Sequence, residues 1–375
     1  MREAVRWLRS STRTKRVSMA PVMGDDPFRL KTAMTEISSY TLESLRKDAE
    51  FVLYRGQREV EPSRILVIAP LSKQPAQGTL KRLEHEYALR VRLDRAWAVL
   101  PLALVRDNWR TVLVLEDPGG EPLSRLLKRP LELTPFLRIA AGLATALLGL
   151  HEHGLIHKDI KPANVIVDPM TNRVWLTGFS IASALPRERQ APEPPETIAG
   201  TLAYMAPEQT GRMNRSIDSR SDLYSLGVTL YEMLTGAPPF AASDPLEWVH
   251  SHIARQPRPP ADRRKDVPKT LSAIVLKLLA KTAEERYQTA AGLEADLRRC
   301  LRDWESLGRI DPFVLGAQDV SDRLLIPEKL YGRDRESKAL LEAVDRVVAY
   351  GTLSSRGSAE GKAVAVGRYR LHSVA

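Results

Sequence analysis

Apolar residues recur along the chain with two spacings, one typical of strands and one typical of helices. Short runs rich in β-branched residues and bounded by turn-forming residues predict strands at 51–56, 64–70, 111–115 and 174–176. Apolar residues spaced three or four apart indicate helices instead. The predicted helices cover 42–50, 80–93, 134–150, 245–255, 271–281 and 290–303. Most predicted strands therefore precede most predicted helices.

Composition is that of an ordinary globular protein. The chain has 375 residues, of which 43% are hydrophobic and 27% charged, so it can bury a large core. Its single cysteine, Cys300, allows no internal disulfide, which fits a reducing cytosol. The longest apolar stretch, 139–150, is too short to span a bilayer, and no secretory signal is visible. We therefore expect a cytoplasmic protein without a membrane span.

Positive charge is concentrated at the start of the chain. Residues 1–23 carry six arginines and lysines against Glu3, which is half of the net charge of +10. Such an arm could bind nucleic acid or anionic lipid. A disordered leader, translated from an upstream start codon, is the alternative that we favour for residues 1–39. Nucleic-acid binding rests on charge alone and is not our prediction.

The most informative segment is 151–164, which reads HEHGLIHKDIKPAN. A phosphoryl-transfer loop needs a carboxylate for the substrate hydroxyl proton, a cation near the γ-phosphate and an oxygen ligand for a metal. Asp159, Lys161 and Asn164 match these three places, and Lys158 stands where an arginine is usual. The segment resembles the catalytic loop of eukaryotic-type Ser/Thr protein kinases.

This resemblance implies an α+β, two-lobed protein-kinase-like fold over 40–304. A small β-rich N-lobe would cover about 40–116, and a large helical C-lobe about 121–304. ATP and Mg²⁺ would be the cofactors, and a protein the substrate or signalling partner. The sequence does not fix the oligomeric state.

Further residues take their expected roles from the same resemblance. Thr201, in GTLAYMAPE, would contact Asp159 and Lys161, and Glu116 would lie in the interlobe hinge that binds adenine. Asn164 would be a metal ligand as well as a cofactor contact. Structural roles would belong to Glu86, His157, Phe179, Glu208, Asp222 and Arg286. Of these, Glu208 and Arg286 would form an ion pair, and Asp222 would brace the catalytic loop.

Three parts of the kinase pattern are missing. Residues 46–51 contain no glycine to cover phosphates, and the strand 65–69 contains no lysine to pair with them. Gly178 occupies the place of the metal-binding Asp of Asp-Phe-Gly. Lys73 is interpreted as an exposed loop lysine, and Asp168 as a turn residue.

These departures leave two hypotheses open. One is a Ser/Thr kinase with weak or lost catalysis; the other is a pseudokinase that binds a protein partner without transferring phosphate. The electrostatic contribution of the metal ion is worth several kcal/mol, and loss of the metal carboxylate, the strand lysine and the glycine-rich loop together could lower the rate by many orders of magnitude. Without its lysine, Glu86 is predicted to be a capping or surface charge. Gly178→Asp is expected to raise metal-dependent nucleotide binding.

The remaining predictions concern the activation segment and the C-terminal region. Residues 186–196 are rich in proline and charge, and Thr197 is the candidate phosphosite. Residues 305–348 resemble the connector of bacterial signalling proteins that join a kinase-like domain to an ATPase domain and a sensor histidine kinase. Residues 349–375 are predicted to be a low-complexity tail, so the chain resembles a truncated member of that group.

Overall fold

The computed structural model describes residues 40–58, 64–107, 110–184, 201–213 and 215–320. All of them belong to one unit that ends at residue 323. Several predictions lie outside the described residues: the leader 1–39, the candidate phosphosite Thr197, the connector beyond residue 320 and the tail 349–375.

The small lobe is a five-stranded antiparallel sheet with one helix against it. Its strands are β1 (Thr41–Lys47), β2 (Phe51–Gln57), β3 (Arg64–Pro70), β4 (Pro101–Asp107) and β5 (Arg110–Glu116), in the order β1-β2-β3-β5-β4. Helix α1 (Gln77–Ala88) and a short 3₁₀ turn follow β3. The strands β2, β3 and β5 and the helix agree with the sequence prediction, whereas β4 was not predicted.

The prediction of helical structure for 42–50 is wrong, because this segment forms β1 and the turn into β2. The Asp48 carboxylate accepts hydrogen bonds from the backbone N–H groups of Glu50 at 2.9 Å and Phe51 at 2.7 Å. Such a turn returns the chain directly alongside itself. Pairing with β2 then provides hydrogen-bond partners for the backbone of β1. This pairing outweighs the local helical character of the segment.

The two faces of the small-lobe sheet are both apolar. The face called here the lower face includes Leu53, Ile68 and Leu113, which pack with Leu83 of α1 and with Ile166 of the large lobe. The opposite face has its own cluster around Val67 and Val114. The lower face therefore forms the roof over the large lobe.

The large lobe is mainly helical and carries a three-stranded sheet beneath that roof. The sheet consists of β6 (Glu121–Pro122), β7 (Val165–Val167) and β8 (Val174–Leu176). The helices are α2 (Leu123–Leu126), α3 (Leu133–Glu152), α4 (Ser219–Thr235), α5 (Pro245–Ala254), α6 (Pro260–Arg263), α7 (Lys269–Leu278) and α8 (Ala290–Leu307). Together the lobes form the predicted two-lobed α+β fold.

Helix α3 is the centre of the large-lobe core. Its buried positions include Phe136, Leu143 and Leu147, which recur at helical spacing and face α4 and α8. By length and composition it is the one helix of the described residues that could cross a membrane, yet most of it is buried inside the protein. It is therefore best explained as a core helix.

A buried ion pair joins the segment before α4 to the segment before α8. Arg286 donates to both carboxylate oxygens of Glu208, at 2.7 and 2.9 Å, and also to the backbone carbonyls of Ala280 and Arg220. Burial opposes the charged carboxylate, but Arg286 outweighs it and lowers the pKa of Glu208. The structure thus places these two residues as the resemblance implies.

Replacing Glu208 with Gln is expected to destabilise the protein by about 3–5 kcal/mol, because the Arg286 charge would stay buried without its partner. Urea unfolding followed by circular dichroism measures this. Glu305→Gln is the matched control: its carboxylate pairs with Arg138 on the surface, where exposed fractions of 42% and 48% make the pair worth about 1 kcal/mol or less. Equal losses in the two variants would contradict the assignment.

Candidate functional site

Asp222 holds the backbone of the segment 151–164, the predicted catalytic loop, from inside the large lobe. It is fully buried on α4, and its carboxylate accepts the backbone N–H groups of His157 at 2.9 Å and Lys158 at 2.8 Å. Its Oδ2 atom also lies 3.0 Å from Nε2 of His151. Lys158 has a left-handed backbone with φ of 66°, an uncommon conformation for a non-glycine residue that these contacts support. The loop is therefore held by its main chain.

His157 packs beneath the same loop. Its ring is buried, with Nε2 3.2 Å from the Thr177 carbonyl oxygen, and it lies 4.8 Å from the ring of Phe179. Burial lowers the pKa of His157, so the neutral imidazole is favoured. Phe179 is fully buried in the large-lobe core and also contacts Trp97 edge-on. Both residues thus support the loop without facing the cleft.

Four residues named from the sequence meet at one point of the cleft. Lys161 Nζ donates to Asp159 Oδ2 at 2.7 Å and to Thr201 Oγ1 at 2.5 Å. Asn164 Nδ2 donates to the same Asp159 oxygen at 2.9 Å, and the Thr201 backbone N–H donates to Asp159 Oδ1 at 3.2 Å. The carboxylate of Asp159 is thus oriented from three sides. This geometry holds a carboxylate and a cation side by side.

The prediction that Glu86 is a capping or surface charge is wrong. Glu86 is 2% exposed, on the inner side of α1, and its carboxylate accepts hydrogen bonds from the backbone of Phe179 and Gly178. Burial raises the pKa of Glu86 to about 7, against these hydrogen bonds and the nearby charge of Arg46. Its partners lie far away in sequence, and none of them is the strand lysine expected from the resemblance.

Arg46 is the functional candidate that the sequence analysis missed. It lies in β1 in register with Leu53 of β2 and, through it, with Ile68 of β3, so all three side chains point to the lower face. The Arg46 guanidinium donates to Asn164 Oδ1, and its side chain is 9% exposed. Burial lowers the pKa of Arg46, while Asp48, Asp159 and Glu86 act in the opposite sense. The visible signal was a basic residue where glycine was expected.

The residues present do not fit a bound Mg²⁺ ion. Magnesium requires near-octahedral oxygen coordination, usually with one or two carboxylates from the protein. Asn164 Oδ1 already accepts from Arg46, and Gly178 has no side chain to offer. Asp159 accepts from Lys161, Asn164 and Thr201. Within the described parts of the chain, no cluster of three or more His, Cys, Asp or Glu residues could hold a metal.

Gly178 has a backbone conformation and surroundings that disfavour a side chain. Its φ is +82°, and a Cβ atom there would lie 2.7 Å from Asn164 Oδ1. Any larger residue must therefore displace the Asn164 amide from its present position. Because Arg46 would also pair with a new carboxylate, the structure changes our expectation for Gly178→Asp: alone, it should not restore a metal site.

The hinge between the lobes has few free backbone donors. The Glu116 N–H donates to the Leu100 carbonyl at 2.9 Å, and the Gly119 N–H donates to Asp117 Oδ1 at 3.0 Å. Pro118 between them has no N–H group. The Glu116 carboxylate pairs with Arg95 at 2.8 Å, so any adenine contact from Glu116 would come from its backbone.

Two more arginines join the roof of the cleft to the hinge and the large lobe. Arg55 of β2 pairs with Asp117 at 2.8 Å and with Glu121 at 2.7 Å. Arg125 of α2 donates to the backbone carbonyls of Leu45 and Ser44 in β1. With Arg46, these residues form what is called here the arginine clasp: Arg46, Arg55 and Arg125. The clasp holds β1 and β2 down over the cleft.

Two residues set aside in the sequence analysis lie away from the cleft chemistry. Lys73 is exposed in the loop after β3, so it does not replace the strand lysine. The Asp168 carboxylate accepts from the Met170 N–H at 2.9 Å and from the Thr171 hydroxyl at 2.6 Å. Asp168 is therefore a turn residue, as predicted.

Comparison with known proteins agrees with this architecture. A family model described as the protein kinase domain matches residues 61–297. The serine/threonine-protein kinase PknB of Mycolicibacterium smegmatis is 43% identical over 189 residues, which is 50% of this chain and 30% of that protein. A probable serine/threonine-protein kinase of Corynebacterium efficiens is 32% identical over 224 residues, 58% of this chain and 33% of that protein. The matched region thus spans about a third of these relatives.

The buried carboxyl of Glu86 predicts a specific pH dependence of stability. Its folded pKa of about 7 lies above the ordinary value of 4.5, so the folded state holds a proton that the unfolded state releases. This contribution to stability is complete below pH 4.5 and is lost as pH rises through 7. Between pH 5 and 8, the unfolding free energy should fall by up to about 3 kcal/mol relative to Glu86→Gln.

Urea unfolding of both proteins across this pH range measures the difference. Glu84→Gln, an exposed position on the same helix, is the control and should run parallel to the unmodified protein. If the unfolding free energy of Glu86→Gln also ran parallel to that of the unmodified protein, Glu86 would be ionised in the folded state throughout this pH range.

Proposed function

Because this chain belongs to the protein kinase family, we propose that it is a serine/threonine kinase-type signalling domain that transfers the γ-phosphoryl group of ATP to a protein. The observation that best supports this proposal is the set of hydrogen bonds that joins Asp159, Lys161 and Thr201. The names of the matched relatives support serine and threonine as acceptors. A cytoplasmic location and a protein partner are part of the same proposal.

Asp159 is the proposed general base. A carboxylate within hydrogen-bonding reach of a substrate hydroxyl can take its proton as the oxygen attacks phosphorus. The hydrogen bonds from Lys161, Asn164 and Thr201 fix the direction of this carboxylate before the substrate arrives. Lys161 would then stabilise negative charge on the transferred group, since its ammonium lies 2.7 Å from the base.

Transfer is proposed to be slow. The strand β3 contains no lysine, and Gly178 stands where the resemblance places the metal carboxylate. Each 1.4 kcal/mol of lost transition-state stabilisation lowers the rate about tenfold. Losses of interactions that act together do not add, so no single factor can be derived from the parts.

The second candidate function is a pseudokinase that docks a partner on its large lobe. The arginine clasp favours it, because it places β1 and β2 against the large lobe and a guanidinium against Asn164. In either case, the resemblance of 305–348 to a connector supports a role within bacterial multidomain signalling proteins associated with sensor histidine kinases.

Asp159→Asn should lower the rate of phosphoryl transfer by about 10²- to 10⁴-fold, because asparagine keeps the shape of the side chain but cannot accept the proton. The assay is transfer of labelled γ-phosphate from ATP to the protein itself and to a generic basic protein, in EDTA, Mg²⁺ and Mn²⁺. Circular dichroism establishes that each variant is folded.

Asp311→Asn is the matched control, since its carboxylate is 59% exposed, outside the cleft. Transfer that persists unchanged in Asp159→Asn would contradict the role of this residue. Absence of transfer in every folded variant and every metal condition would favour the pseudokinase function.

A further inference from the structure

Arg46 is a buried cation that the proposed mechanism does not use. Among the described residues, its only side-chain hydrogen bond runs from Nη1 to Asn164 Oδ1. Its Nε and Nη2 atoms therefore keep N–H groups for another acceptor. Within the part of the chain that the structure describes, Asp48 is the carboxylate that pairs with Arg46, and its Oδ2 atom lies 4.0 Å from Nη1. The Asp48 side chain is 35% exposed. A buried guanidinium with remaining donors is suited to an anionic ligand.

The sheet register explains how Arg46 reaches the centre of the cleft. Ile68 occupies the β3 position on the lower face, where it packs in an apolar cluster with Leu53 and Leu83. Arg46 lies in the same row but two strands away, a separation of about 10 Å. An arginine is long enough to extend beneath the roof from that edge. Its hydrogen bond to Asn164 Oδ1 places the guanidinium beside the loop that carries Asp159.

Arg46 contacts the side-chain oxygen of Asn164. Asn164 Oδ1 is the oxygen that the resemblance assigns to a metal ion, and here it accepts from a guanidinium instead. Gly178 is consistent with this exchange, because a Cβ atom there would lie 2.7 Å from the same oxygen. The guanidinium of Arg46 and the missing side chain at position 178 thus concern the same oxygen atom.

We propose that the Arg46 guanidinium replaces the divalent cation of this cleft, so that the triphosphate of ATP binds without Mg²⁺. The inference rests on the proposed function in taking ATP as the ligand. Guanidinium groups bind phosphate oxygens through paired N–H donors and stay charged at all accessible pH values. Lys161, whose ammonium donates to Asp159 Oδ2, provides a second cation. A dication, by contrast, would meet a fixed positive charge at its own ligand.

Equilibrium binding of ATP to the full chain tests this, by isothermal titration in EDTA and again in excess Mg²⁺. ATP should bind in EDTA at least as tightly as with Mg²⁺. Arg46→Gln should weaken binding in EDTA at least tenfold, and Arg46→Lys, which keeps the charge but not the paired donors, should weaken it less than Arg46→Gln. Arg106→Gln removes the same charge from an exposed ion pair of the small lobe and should leave binding unchanged.

A charge exchange makes the test sharper. The double variant Arg46→Ala, Gly178→Asp should convert binding from Mg²⁺-independent to Mg²⁺-dependent, because it removes the built-in cation and supplies a carboxylate. Gly178→Asp alone should not acquire this dependence. Thermal unfolding establishes whether each variant is folded. If the variants at position 178 do not fold, the comparison of Arg46→Gln with Arg106→Gln still tests the proposal.

Three results would overturn the inference: ATP binding that requires Mg²⁺, binding unaffected by Arg46→Gln, or no binding until Arg46 is removed. The last would show that Arg46 excludes nucleotide. These outcomes are separate from the proposed function, since Asp159→Asn should still bind ATP. Binding in EDTA without any transfer would overturn the proposed kinase activity and leave the role of Arg46 intact.

Discussion

The backbone conformation of the predicted catalytic loop depends on hydrogen bonds to the buried carboxylate of Asp222. A carboxylate deep in a protein is stable only when its oxygens accept hydrogen bonds, and here the donors are consecutive backbone N–H groups of His157 and Lys158. Because the contact is to main chain, it sets the direction of the residues that follow. Asp159 and Lys161 then meet Thr201 with little freedom.

Four helices of the large lobe, α3, α5, α7 and α8, were predictable from the spacing of their apolar residues, whereas α4 is buried on nearly all sides and was not predicted. Helical spacing over 134–150 predicted α3, and the motif around Asp159 predicted which side chains would meet. The small lobe was harder to predict. The segment 42–50 has helical character, yet it becomes a strand because β2 supplies its hydrogen bonds. No periodicity carries that information.

Glu86 and Arg46 also have surroundings that are set by residues far away in sequence, so local patterns did not predict them. The absence of a lysine from β3 suggested that Glu86 had lost its reason to be buried, but backbone N–H groups from residues 178 and 179 accommodate it. A positive charge also remains in the cleft, delivered from β1 instead of β3. A motif search, which examines fixed positions, cannot detect such a relocation.

Pro118 has a consequence for how this cleft would distinguish one base from another. Purine bases are told apart by the pattern of donors and acceptors that face their ring edge, and a hinge with proline in its centre presents one donor fewer. The neighbouring Gly119 N–H is already engaged with Asp117. The proposed nucleotide site should then bind adenine and guanine nucleotides with similar affinity. The length and charge of the phosphate chain would become the main determinants of which nucleotide is retained.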